Sequence, residues 1–359
     1  MKRLASVFRR RNARLLAVFC VAVAGLAVAE TRWRRSVERP DAQAMRLAAG
    51  QAAEWFEIVG AAKERRGIVS EARTRIRYRG MLGCDWSPIT TTLGSLEAKE
   101  IAANPEFAAL VVRWLDDAGI GAGDRVGVTL SGSFPSLAIC VFAALKTLGI
   151  GATVVSSVGA SSYGANQPGA TWMDIESWLA EEGSFDFRSA LVTMGAEWDA
   201  GGGLGEEGIA EIRLAARRGG IGLFVPGSLE ESIDAKTALL ERSDIKLLIN
   251  IGGNQAILGA CPHASTIRNG YHRSTASCRH EDRGVLFRLA EKGTPYIHII
   301  DIKDLASRYC IAVDGTAGAG SCLYNEVRAD RSAVIAMLIL LVASCAVALP
   351  ERSFLAGKP

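Results

Sequence analysis

Asp124-Arg-Val-Gly-Val-Thr-Leu-Ser-Gly-Ser-Phe-Pro-Ser-Leu-Ala-Ile-Cys-Val-Phe-Ala-Ala-Leu-Lys-Thr-Leu-Gly149 is the stretch whose reading decides the fold. Residues 125–130 are a short, β-branched, apolar run, the composition of a strand buried on both faces. Ser131-Gly132-Ser133 reads as a turn. Pro135 suits the first turn of a helix, where its missing N–H is unneeded. Leu137, Cys140, Val141, Ala144 and Leu148 recur at helical spacing, and Gly149 stops the helix. Strand, small polar turn and helix is how parallel α/β proteins place a site at the carboxyl edge of the sheet. The turn matches neither the Gly-x-Ser-x-Gly elbow, the Walker loop nor the dinucleotide fingerprint. A Ser/Gly turn that only connects strand to helix has the same composition.

The pattern repeats outward from this unit. Strands are expected at 152–158, 189–194, 222–225, 246–251 and 295–300. Helices are expected at 173–182, 206–218, 229–242, 285–292 and 302–309. This alternation predicts an α/β fold: a mostly parallel sheet with helices on both faces, a Rossmann-like three-layer arrangement. Upstream, residues 41–66 read as an amphipathic helix, Ser95 as a cap, and Asn104-Pro105 as a break before a helix to Ala118.

The ends of the 359-residue chain read differently. Lys2, Arg3, Arg9, Arg10, Arg11 and Arg14 precede the uncharged run 15–29, a basic region and an apolar region as in a signal anchor or signal peptide. Ala27-Val28-Ala29 fits a small-x-small cleavage site. The apolar run 333–349, ended by Pro350, predicts a C-terminal membrane helix. With the basic end cytoplasmic, residues 31–332 lie outside. The expected domains are 1–30 (signal anchor or peptide), 31–74 (juxtamembrane helical segment), 75–328 (extracytoplasmic α/β domain) and 329–359 (membrane helix and tail). A net charge of +3 is too small to suggest nucleic-acid binding.

Three turns, 131–133, 159–166 and 252–255, end strands and share one edge in a parallel sheet. The ligand-binding candidates are Ser131, Gly132, Ser133, Ser161, Ser162, Asn166, Asn254 and Gln255. Thr90 and Thr91, from the hydroxyl-dense block 80–97, join them. Neutral hydrogen-bond groups and helix starts suit a carboxylate-bearing ligand, with no cofactor expected. Ser131 or Ser133 is placed like a nucleophile, with Asp85, Asp174, Glu197, His263 or His298 as partners; nothing in the sequence selects among these. His298 sits inside a strand, where a core histidine is the simpler reading. Cys261, His263, His272, Cys278 and His280 are zinc-ligand types at no standard spacing; a metal site, a Cys261–Cys278 disulfide and an unlinked polar loop are all open. Cys140, on an apolar helix face, reads as a buried thiol.

Several long blocks carry a resemblance. They are Cys84-Asp-Trp-Ser-Pro-Ile-Thr-Thr-Thr-Leu-Gly-Ser-Leu-Glu-Ala-Lys99, Ser131-Gly-Ser-Phe-Pro-Ser-Leu137, Val155-Ser-Ser-Val-Gly-Ala-Ser-Ser-Tyr-Gly-Ala-Asn166, Thr171-Trp-Met-Asp174 and Asn250-Ile-Gly-Gly-Asn-Gln-Ala256. Together, over roughly residues 75 to 315, the chain resembles the poly-γ-glutamate system protein family. That resemblance implies a protein tethered to the bacterial cytoplasmic membrane, its main domain extracytoplasmic. It also implies service to poly-γ-glutamate synthesis or export, with the synthase/export membrane subunits and the anionic polymer as partners. The family brings no assigned catalytic residues. The competing expectations are a serine-type hydrolase or transferase acting on the polymer or on a cell-wall peptide, and a pure assembly factor for the synthase.

Overall fold

The strand-turn-helix unit around Ser131 is the centre of a six-stranded sheet in the computed structural model. The residues described are 16, 18–25, 27, 34–70, 72, 74–182, 185–261, 267–273, 277–278, 283–312 and 321–348. They divide into two units, Pro40–Tyr324 and a second made of Met1–Arg39 with Asn325–Pro359. In chain order the strands are β1 (Arg34–Glu38), β2 (Thr90–Thr92), β3 (Arg125–Ser131), β4 (Gly151–Ser157) and β5 (Ala160–Ser161). They continue with β6 (Ser189–Thr193), β7 (Leu248–Ile251), β8 (Gly270–His272), β9 (Tyr296–Ile299) and β10 (Asn325–Ala329).

The sheet of the larger unit has the order β6-β4-β3-β7-β9-β8. Every neighbouring pair is parallel except β8 with β9. Side chains alternate across it as a doubly covered sheet requires. Val126, Val128, Val154, Ile249 and Ile297 join the core under helices Ala42–Arg65, Glu106–Ala118, Pro135–Leu148 and Trp172–Glu181. Val155, Leu248 and Tyr296 face the other layer, with helices Leu229–Arg242 and Val285–Glu291. Gly127 lets that second layer approach: a Cβ there would lie 2.7 Å from Ile245 Cδ1 and 2.9 Å from Leu240 Cδ2. The helix ends follow the sequence reading, with Pro135 in the first turn, Gly149 left-handed at the C-cap, and Ser95 accepting Ala98 N–H. Trp55, Phe142, Trp172, Phe185 and Phe187 form an aromatic cluster in the first layer.

Two sequence expectations change. Residues 222–225 form no strand; a single parallel bridge joins Leu223 to Val192, with Phe224 N–H donating to Val192 O at 2.8 Å. The run is short, half-exposed and stopped by Pro226, so little apolar burial rewards a longer ladder. The sixth strand is instead β8, antiparallel, from a segment with no expected strand. Three residues carry too little alternation to be recognised alone.

In the other unit, β1 pairs antiparallel with β10. Arg331–Ala348 is an apolar helix of 18 residues. At about 1.5 Å per residue it covers about 27 Å, against a hydrocarbon core of about 30 Å. Among the described residues no helix is long and apolar enough to cross a membrane. The apolar run 15–29 and its cleavage site lie partly outside the described residues.

Phe142 has no exposed surface and stacks on Phe187 at 4.9 Å between centroids. Phe142→Ala is expected to cost about 3–5 kcal/mol of unfolding free energy. Urea denaturation checks this; a loss below about 1 kcal/mol would show that the aromatic cluster does not hold the first layer together.

Candidate functional site

The carboxyl ends of β4, β3 and β7 meet a small accessory pairing, β2 parallel to β5, in which Thr90 opposes Ala160 and Thr92 opposes Ser161. Glycines make the crowding possible. A Cβ on Gly132 would sit 2.6 Å from Val158 O, and on Gly159 2.5 Å from Thr91 Cγ2. One on Gly164 would sit 2.8 Å from Gly132 O. Much of the Gly/Ser/Thr density in these loops therefore serves close backbone packing.

Between the loops lies a cavity of about 660 Å³. Its wall includes Thr91, Ser131, Ser133, Ser161, Asn254 and Gln255 among the expected residues. Four others are elsewhere. Gly132 is a packing glycine outside the lining. Thr90 Oγ1 accepts Ser87 N–H at 2.8 Å and the Asn166 amide at 3.0 Å. Asn166 is fully buried and clamps Cys84 through both backbone groups, at 3.1 and 2.9 Å. Ser162 is 1% exposed and is not part of the cavity lining. These side chains resemble ligand groups in sequence because turns and ligand sites draw on the same residue types.

The nucleophile candidates also change. Ser131 Oγ accepts Ser133 N–H at 3.4 Å, and Ser133 Oγ accepts Ser161 N–H at 3.0 Å. Among the described residues neither hydroxyl bonds a titratable side chain. Asp174 is held by Arg218 through two bonds, 2.7 and 3.0 Å, and completes the capping box with Thr171. His298 is fully buried, its Nδ1 2.9 Å from Asn250 Nδ2. Burial pushes its pKa down to about 4, with His272 adding to the shift. It is the core histidine the strand position suggests. Asp85 is exposed, Glu197 stands exposed at the cavity wall, and His263 lies outside the described residues.

The metal reading gives way to the disulfide. Cys261 and Cys278 are bonded to each other, which consumes both thiolates, and Cys310 bonds Cys322. His272 Nε2 is 2.8 Å from Arg268 O; His263 and His280 lie outside the described residues. Among the described residues no metal-binding cluster forms. Cys140 is a buried, unlinked thiol whose pKa burial pushes up.

Two lysines escape a motif-based reading. Lys99, four residues past the Ser95 cap, is 3% exposed and lines the cavity. Its Nζ donates to Ser133 O, lies 2.9 Å from Ser161 Oγ, and sits 3.5 Å from the Phe134 ring centroid. Among the described residues no carboxylate pairs with it. Burial pushes its pKa down to about 7. Lys236 stands with Ile233 and Leu240 on the buried stripe of its helix, a spacing that was the available signal. It pairs with Asp199, which is fully buried and also accepts from Thr193 (2.9 Å), Ser232 (2.5 Å) and Asn254 (3.0 Å). Asn254 also donates to Ser157 Oγ at 3.0 Å, tying this network to the cavity wall. Asp199 ends a loop in which Ala196, Trp198 and Asp199 itself all have left-handed backbones, φ 61°, 56° and 62°. Stored strain of this kind marks functional sites.

Comparison with family models, with curated proteins and with solved structures finds no match.

Removing one partner of a buried pair leaves an uncompensated charge. Lys236→Met is therefore expected to cost about 3–5 kcal/mol, and Lys236→Met/Asp199→Asn clearly less than the sum of the single changes. Additive losses in denaturant titrations would show that the two groups do not act as a pair. Lys99 carries its own pH signature. Its folded pKa, about 7, lies below its ordinary 10.5, so between these values the unfolded chain holds a proton that the folded chain lacks. Stability thus rises with pH across that window, by up to about 1.4 kcal/mol per unit, and is lowest below it. Lys99→Met should reduce this slope, most clearly near pH 7–8, and leave the part owed to Lys63, whose pKa burial pushes down to about 8; an unchanged slope near pH 7 would place that depressed proton elsewhere.

Proposed function

We propose that the chain is a membrane-anchored accessory protein of poly-γ-glutamate synthesis or export, whose cavity holds a carboxylate-bearing polyamide. The observation that carries the reading is the cavity wall itself. Hydroxyls of Thr91, Ser131, Ser133 and Ser161 and the amide of Gln255 surround about 660 Å³, with Asn254 in the wall but its amide N–H groups committed to Ser157 and Asp199. Hydroxyls donate to carboxylates and accept from amide N–H groups, the two demands that a γ-linked glutamate chain makes at every residue.

Other features support the setting. Two disulfides suit an oxidising compartment, in keeping with an extracytoplasmic main unit. As sequence features, the apolar run 333–349 and the basic residues 2–14 before the apolar run 15–29, both runs partly outside the described residues, suit anchoring in the bacterial cytoplasmic membrane. There the synthase and export subunits are the natural partners.

Each cavity hydrogen bond is worth about 1 kcal/mol, so Ser131→Ala/Ser133→Ala should weaken binding of a γ-linked glutamate oligomer roughly twenty- to thirty-fold. Calorimetric titration of the full-length protein in detergent measures this, and polymer amount and length in cells carrying the variant at normal abundance measures the consequence. Undiminished binding together with normal polymer would remove the cavity from the function and leave an assembly role.

A further inference from the structure

The cavity contains a hydroxyl beside an amine, and the pair is not accounted for by ligand binding alone. Ser161 Oγ lies 2.9 Å from Lys99 Nζ, and both residues line the cavity. A second donor position of Nζ is taken by Ser133 O. The Phe134 ring closes another side at 3.5 Å. With those directions occupied, the nitrogen's remaining direction of interaction is toward the Ser161 hydroxyl. Ser161 is fixed from behind: its N–H donates to Ser133 Oγ at 3.0 Å, and β5 pairs with β2 at Thr92. A held hydroxyl, a base in contact, and a base oriented by a third group are the parts of an activated nucleophile.

We propose that Ser161 is a nucleophile and Lys99 its general base, opening an amide bond of the carboxylate-bearing chain through an ester on Ser161. The proposal rests on the reading that the cavity binds such a chain. Ser161 Oγ bonds to the amide carbonyl carbon while neutral Lys99 Nζ takes the hydroxyl proton. The C–N bond then breaks, and the Lys99 ammonium returns that proton to the departing amine. Water, or the amine of a second chain, attacks the ester as Lys99 accepts its proton. The C–O bond to Ser161 breaks and Oγ recovers the proton. Water gives hydrolysis and an amine gives transfer, with no other reagent. A pKa near 7 leaves a substantial neutral fraction of Lys99 at neutral pH, as a base in this step requires.

The test uses full-length protein in detergent, a fluorophosphonate probe for the serine, and a γ-linked glutamate oligomer whose length is followed by mass spectrometry. The expected result is a probe adduct on Ser161 and shortened or lengthened oligomer. The labelling rate should climb through about pH 7 and level off above it. Lys99→Arg keeps a cation but supplies no base, and should lower labelling at least a hundred-fold while oligomer binding persists. If that variant does not fold, the wild-type pH profile and Ser161→Ala carry the test. Protein that binds the oligomer yet takes no label on Ser161 and leaves the oligomer intact overturns the dyad and keeps the binding reading. Ser161 labelling without binding or any change in oligomer length overturns the polymer as substrate.

Discussion

The ammonium of Lys236 held against Asp199 is the contact on which the cavity depends. Asp199 closes a loop whose left-handed Ala196, Trp198 and Asp199 each cost of order 1–3 kcal/mol. A buried carboxylate is tolerated only when its lone pairs are filled, and here four donors fill them: Thr193, Ser232, Asn254 and Lys236. Removing the cation would leave the anion with neutral donors only and the strained loop with less to hold it. Through Asn254 the same network reaches Ser157, so the cavity wall inherits its rigidity from a pair that no ligand touches.

Lys99 is buried almost as deeply as Lys236, 3% against 1% exposed, and burial pushes the pKa of both down; only at Lys236 does a carboxylate, Asp199, oppose that push. Lys236 has a carboxylate; Lys99 has a carbonyl, a hydroxyl and an aromatic face. A cation shielded from water without a counter-charge sheds its proton easily, which lowers stability at neutral pH and leaves an amine with a usable lone pair. A carboxylate placed directly on Nζ would oppose this and favour the ammonium. For Lys99 to act as a base, the ligand's carboxylates must therefore rest on the hydroxyl groups and the Gln255 amide N–H of the wall.

The fold was legible where burial imposes a period. The continuous apolar run through residues 125–130 and the helical stripe after Pro135 each respond to a hydrophobic environment on known faces, and the element ends at Ser95, Pro135 and Gly149 follow from local chemistry. The edge of the sheet was not legible, because 222–225 and 270–272 are distinguished by which neighbour offers a ladder and not by composition. The site divides along the same line. Ser161, Asn254 and Gln255 were visible as turn residues at strand ends, but so were Asn166 and Ser162, and only packing separates the two groups. Lys99 had no local signal, since its desolvation comes from Phe134, Ser133 and Ser161, residues distant in sequence.

The turn after β3 is the most recognisable element in the chain, yet its hydroxyls work one step behind the reacting position. Ser131 holds the N–H of Ser133, and Ser133 in turn holds the N–H of Ser161. The relay fixes β5 against the end of β3, while β2 fixes it from the other side. Gly94 then lets the helix carrying Lys99 come close, since a Cβ there would stand 2.6 Å from Ser162 O and 3.2 Å from Ser161 Oγ. The small residues that suggest a nucleophile at 131–133 are thus the reason the hydroxyl and amine can meet at 161 and 99. A sheet edge this crowded commits the hydroxyls of the first turn to backbone N–H groups, and leaves the contact with the amine to the next loop.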